Sequence, residues 1–134
     1  MANKKLKGAG FHHIALRVSD FERSYNFYTG VLGFELVREW GEGDSRISML
    51  DIGDGGILEL FAAGKKDAPT ELYWHLAYTV DDVDAAFAAA IAGGAAEHKP
   101  PFDAEFNSRP APAKARIAFV KGFDGELIEF FKMM

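Results

Sequence analysis

At 134 residues the chain has enough length to bury one domain's core, and with no cysteine it has neither disulfide staples, a thiol nucleophile nor a Cys-based zinc site. Its 49% hydrophobic and 26% charged residues are ordinary for a globular protein, and a net charge of −5 argues against nonspecific binding to nucleic acid or an acidic membrane. Met1 to Gly10 lacks the apolar run of a signal peptide, and Ala85 to Ala96 is too short to span a bilayer. The expectation is a cytoplasmic protein with no nucleic-acid or membrane partner.

Residues 1–10 read as a flexible tail. In 11–18, His13, Ala15 and Arg17 fall on one face of a strand and Ile14, Leu16 and Val18 on the other. Asp20 or Ser19 then caps a helix running to about Gly30, with Phe21, Tyr25 and Tyr28 at core spacing. Phe34–Trp40 and Arg46–Ile52 read as strands, and the turn Gly53-Asp54-Gly55-Gly56 leads into a fourth, Ile57–Phe61. The segment 62–72, with Gly64, two lysines and Pro69, reads as a linker. The pattern then repeats: a strand Trp74–Val80, an alanine-rich helix Val83–Ala92 capped by Asp82 and closed by Gly93-Gly94, a strand near Ala96–Pro100, and strands Arg116–Val120 and Glu126–Phe131. Pro100–Pro112 breaks the regularity with four prolines and is expected to be an irregular loop that closes over a bound substrate. Its Phe102, Phe106, Asn107 and Arg109 would cover an apolar group and offer hydrogen bonds.

The chain is thus one unit written twice, module one over 11–61 and module two over 73–131 of a single domain, 11–134. Each copy opens on a strand His, His13 or His75, and closes on a strand Glu, Glu59 or Glu129. All four fall opposite the strongest aliphatics, where a carboxylate is costly unless paired or bound to a cation. A lone strand His is more often structural, but two His and two Glu at matched places fit one divalent first-row metal: Ni, Zn, Co, Mn or Fe. His12 falls on the face opposite His13 and reads as packing or surface; His98 reads as exposed.

His12-His13-Ile14-Ala15-Leu16-Arg17-Val18, Tyr28-Thr29-Gly30-Val31-Leu32-Gly33-Phe34, Leu58-Glu59-Leu60, His75-Leu76-Ala77 and Asp124-Gly125 before Ile128-Glu129 together resemble the vicinal oxygen chelate superfamily over residues 11–131. That superfamily includes glyoxalase I, methylmalonyl-CoA epimerase, fosfomycin- and bleomycin-resistance proteins and ring-cleaving dioxygenases. The resemblance implies an α+β fold of two tandem βαβββ modules forming a half-barrel metal cleft, usually in a homodimer. Position 59 discriminates among members: a Glu there is glyoxalase-like, whereas epimerases usually carry Gln. Arg17 matches an arginine that glyoxalase I uses on the glutathione carboxylate. Ala63 departs from glutathione-using members, which often have Asn there, and Pro100–Pro112 does not resemble their short basic loop.

The resemblance and the residues together point to a glyoxalase-like lyase or isomerase acting on a small-molecule substrate, a hemithioacetal or related carbonyl compound, by proton transfer through a metal-bound enediolate. Glu129 is expected to shuttle the proton, with Glu59 as ligand or second base, and Arg17, Phe102, Phe106 and Arg109 to bind substrate. The alternatives are an epimerase acting on a thioester and a resistance-type protein that binds without chemistry.

Overall fold

The computed structural model describes residue 4 and residues 11–68, 75–108 and 111–134. In chain order the elements are β1 (His13–Arg17), α1 (Phe21–Asn26), a π-helical turn (Phe27–Val31), β2 (Glu35–Trp40), a short 3-10 turn (Gly43–Ser45), β3 (Ile47–Asp51), β4 (Ile57–Phe61), β5 (Leu76–Thr79), α2 (Val83–Ala92), β6 (Ala96–Phe106), β7 (Ala113–Lys121) and β8 (Leu127–Met133). They form two four-stranded mixed sheets ordered β1-β4-β3-β2 and β5-β8-β7-β6. In each, the first strand runs parallel to the last, and the remaining pairs are antiparallel. The fold is α+β, two βαβββ modules, and among the described residues no helix is long and apolar enough to cross a membrane.

Local chemistry sets the element ends. The Asp20 carboxylate accepts the Arg23 N–H at 3.1 Å and starts α1; Asp82 does the same for Ala85 at 3.0 Å and starts α2. Asp51 Oδ1 accepts the Gly53 and Gly55 N–H groups, and the left-handed backbone those two glycines allow folds β3 back onto β4. The first helix changes pitch at Phe27, so the reading of one regular helix to Gly30 is corrected: its last turn is wound as a π-helix. That turn buries Phe27 and Tyr28, while Phe21 and Tyr25 are half-buried against the core.

The core lies between the helices and one face of each sheet, with Val18, Leu50, Leu58, Leu60, Val120 and Ile128 fully buried. Each such side chain contributes roughly 1.5–3 kcal/mol on leaving water. Aromatic contacts join the modules: Phe27 meets Phe123 and Phe34 meets Tyr78, both with ring centroids 5.3 Å apart.

The expected irregular lid at Pro100–Pro112 is corrected for its first half. β6 continues through Pro100 and Pro101 to Phe106, pairing Phe102 with Ile117 and Phe106 with Ala113. The prolines are tolerated because β6 is an edge strand and its register shifts between Lys99 and Phe102, where no ladder donor is required of them. The expectations for most of the tail, for 69–72 of the linker, for Trp74 and for Arg109 lie outside the described residues.

Candidate metal centre

Glu59 sits on β4 facing Ala15, and Glu129 sits on β8 facing Ala77. Each Glu therefore stands opposite the residue two beyond its module's His. This shared register puts His13 Nε2 3.6 Å from Glu59 Oε2, and His75 Nε2 3.0 Å from Glu129 Oε2. The carboxylates are 8% and 7% exposed, while the imidazoles remain partly open to solvent. A carboxylate this buried needs a cationic or hydrogen-bonding partner, and each has its own module's imidazole. Burial raises the proton affinity of Glu129, and the neighbouring His75 partly offsets the rise.

The four expected ligands are brought together in pairs, not as a set. Among the described residues, no group of three or more His, Cys, Asp or Glu converges as a metal site. The pairs belong to different sheets, one per module, and their equivalence is that of the repeat. Imidazole nitrogen and carboxylate oxygen suit a divalent first-row ion, but two donors leave its coordination shell incomplete. The donor chemistry of each pair fits such an ion.

Neighbouring side chains surround the two His–Glu pairs. Arg17, on the His13 face of β1, donates from Nη1 to the Ala62 carbonyl at 3.2 Å, with its guanidinium 5.4 Å from the Phe61 ring centroid. Phe119 pairs with Glu129 across β7 and β8, and its ring stands edge-on to His75 at 5.7 Å. Phe119 was not singled out from the sequence. The available signal was its alternation with Ala118 and Val120, which puts it on the Glu129 face. Phe102 shares that face through its pairing with Ile117 and carries Lys99 Nζ 3.9 Å over its ring. Phe106 lies further along β6 and lines a hollow of about 600 Å³ with Asn107, Lys114 and Met134, which none of the His–Glu residues lines.

A groove of about 570 Å³ separates β1 from β5, lined by Phe11, Ile14, Ile52, His75, Ala77 and Thr79 among others. His12 precedes β1, so strand alternation does not place it; it is exposed, as the surface reading expects, with its Nδ1 2.8 Å from His13 Nδ1. His98 is exposed, as expected, beside Phe119 at 6.2 Å.

Residues 10–130 match the Glyoxalase/Bleomycin resistance protein/Dioxygenase superfamily. The chain is 34% identical over 130 residues to a probable lactoylglutathione lyase of Vibrio cholerae, covering 90% of this chain and 88% of that one. Among solved structures it is similar to the trypanothione-dependent glyoxalase I of Leishmania major, at 26% identity and a TM-score of 0.70, covering 93% of this chain and 87% of that one. It shares its fold with a variant of the fosfomycin resistance protein FosX of Listeria monocytogenes complexed with Mn(II), at 22% identity and a TM-score of 0.69, covering 91% and 88% of the two chains.

Proposed function

The chain belongs to the Glyoxalase/Bleomycin resistance protein/Dioxygenase superfamily, and from that premise we propose that it is a metal-dependent lyase or isomerase of the glyoxalase I type. Its substrate is a small hemithioacetal or related carbonyl compound. The observation that carries this reading is the pair of His–Glu half-sites at matched registers, with a Glu and not a Gln at position 59. His13, Glu59, His75 and Glu129 are the ligands. Because the pairs do not converge within one chain, a second copy of the chain completes the site, placing the His13–Glu59 pair of one protomer against the His75–Glu129 pair of its partner. The ion, when bound, supplies Lewis acidity that draws negative charge onto two neighbouring substrate oxygens.

This chain's own groups do the rest. Glu129 takes the proton from the carbon bearing the hydroxyl and returns it to the neighbouring carbonyl carbon, while the hydroxyl's own proton passes to the former carbonyl oxygen, so hydrogen and electrons balance within the substrate and no outside oxidant is needed. Its burial favours this role, since a carboxylate in an apolar setting is a stronger base than one in water. Glu59 holds the equivalent place on the other half-site and serves as ligand or second base. Phe119 and Phe102 form an apolar wall on the Glu129 face that limits water around the proton in transit. Arg17, steadied by Ala62 and Phe61, binds an anionic group of the substrate.

Turnover assays on a panel of hemithioacetals and acyl thioesters in deuterated water, with each candidate metal added in turn, test the proposal. Metal-dependent product formation with a hemithioacetal is expected, with deuterium entering at the carbon next to the carbonyl to the extent that Glu129 exchanges with solvent. Product from acyl thioesters alone would replace this reading with the epimerase one. Tight binding with neither product nor exchange would leave a binding protein.

A further inference from the structure

The two sheets have more in common than their His–Glu pairs. On module one Glu59 pairs with Met49 of β3, and Met49 pairs with Arg38 of β2. On module two Glu129 pairs with Phe119 of β7, and Phe119 pairs with Lys99 of β6. Directly opposed residues share a face, so each row that contains a Glu ends in a cation on the outermost strand. The next row repeats the match: Trp40–Ile47–Phe61 in module one, Phe102–Ile117–Phe131 in module two. Arg38 and Lys99 are thus equivalents in the repeat, and so are the aromatic rings of Trp40 and Phe102 beside them.

We propose that Arg38 and Lys99 are specificity-determining residues on the rims of the cleft, holding an oxyanion on the tail of the substrate while Trp40 and Phe102 pack against the carbons that lead to it. Both cations are exposed, and among the described residues neither has an ion pair; Lys99 Nζ stands over the Phe102 ring at 3.9 Å. Arg46 and Arg116 differ, each being held by two carboxylates, Glu22 with Glu39 and Asp84 with Asp103. In a chain of net charge −5, two cations without a counter-charge stand at matched places on the faces that carry the candidate ligands. The proposal deepens the lyase reading, on which it rests for the position of the reacting carbons and for the pairing of module one with the partner's module two. Two strand spacings separate each cation from the Glu of its row, about 10 Å between backbones. The oxyanion therefore lies several bonds from the reacting carbons, and the rim cation does not compete with the metal for the same oxygens.

Calorimetry on the full chain with matched ligands tests this. The probes are benzylthioacetate, its primary amide and (benzylthio)methylphosphonate, which share a ring and a thioether and differ in charge. At least one of the two anions should bind about tenfold more tightly than the amide, a gap that narrows as salt rises. Which anion binds more tightly tells a carboxylate tail from a phosphate-like one. Arg38→Gln combined with Lys99→Gln should close the gap to within about twofold and leave the affinity for the amide unchanged. Arg38→Lys combined with Lys99→Arg keeps both charges and should retain most of it. Equal affinity of the wild type for all three probes, binding of none of them, or a gap that survives in the neutral double variant overturns the proposal. Charge-dependent binding through Arg38 and Lys99 in a protein that converts no hemithioacetal would support the proposal and retire the lyase reading. Conversion of hemithioacetals with no preference for charge would do the reverse.

Discussion

Gly64 lies just past β4, where the chain recrosses the end of β1, and replacing it by Ala tests how rigidly that crossing is held. Gly64 N–H donates to the Val18 carbonyl at 2.9 Å, and Val18 N–H donates to the Phe61 carbonyl at 2.8 Å. A Cβ on Gly64 would lie 2.7 Å from both the carbonyl carbon and the oxygen of Arg17, and 2.8 Å from the carbonyl carbon of Val18. These are backbone atoms, so no side chain can rotate away. Moving from 2.7 Å to the 3.4 Å of an ordinary contact is a shift of about 0.7 Å. That shift stretches the Gly64–Val18 hydrogen bond beyond bonding range. The lost bond is worth about 1 kcal/mol net, and repacking the fully buried Val18 brings the expected loss to about 2–3 kcal/mol. For a domain of this size that is a melting-temperature fall of roughly 8–12 °C. Gly30→Ala is the matched control. A Cβ there meets nothing within 4 Å, and alanine in a helical turn should hold or slightly raise stability. Thermal and urea unfolding of both variants decide the point: Gly64→Ala melting as high as Gly30→Ala would show that the crossing yields at little cost.

Two buried tyrosines should respond in opposite ways to loss of the hydroxyl. Tyr28→Phe leaves Glu126 Oε2 without its donor and should cost about 1–3 kcal/mol, whereas Tyr78→Phe removes a hydroxyl with no partner among the described residues and should be neutral or stabilising in the same denaturant assay. Asp82→Ala uncaps α2 and should cost about 1 kcal/mol, read as a lower urea midpoint at unchanged slope. Replacing residues 102–106 with a Gly/Ser linker should now reduce stability as well as turnover, because it deletes ladder pairs between β6 and β7; an unchanged melting temperature would restore the lid reading. Glu129→Gln should lower turnover by about 10²–10⁴-fold if Glu129 carries the proton, and a loss under tenfold would remove it from that role.

Much of this was legible because strand alternation and turn residues act locally. Ile57–Phe61 and Val83–Ala92 came out with the observed ends, and the matched His and Glu positions reflect identical strand registers. Pro100–Phe106 was misread because proline counts against a strand in general, while an edge strand with a shifted register escapes the penalty. That depends on which strand lies outermost, which periodicity does not encode. The same holds for the ligands. Alternation tells which face Glu59 and Glu129 occupy, but not how far apart the two modules hold them. Asp124-Gly125 was recognisable as a turn, whereas its role between modules depends on Ser19 and Tyr28, far away in sequence.

Metal counting on a mixed dimer decides whether two His–Glu pairs from two chains make one metal centre. One copy carries His13→Ala with Glu59→Ala, the other His75→Ala with Glu129→Ala, and the heterodimer is purified through two different tags. Each double variant alone should bind no metal. The heterodimer, which keeps one untouched His13–Glu59 pair and one untouched His75–Glu129 pair, should regain one ion for its two chains. A heterodimer that stays empty while the wild type fills, or a double variant that retains stoichiometric metal, would rule out a centre shared between two chains.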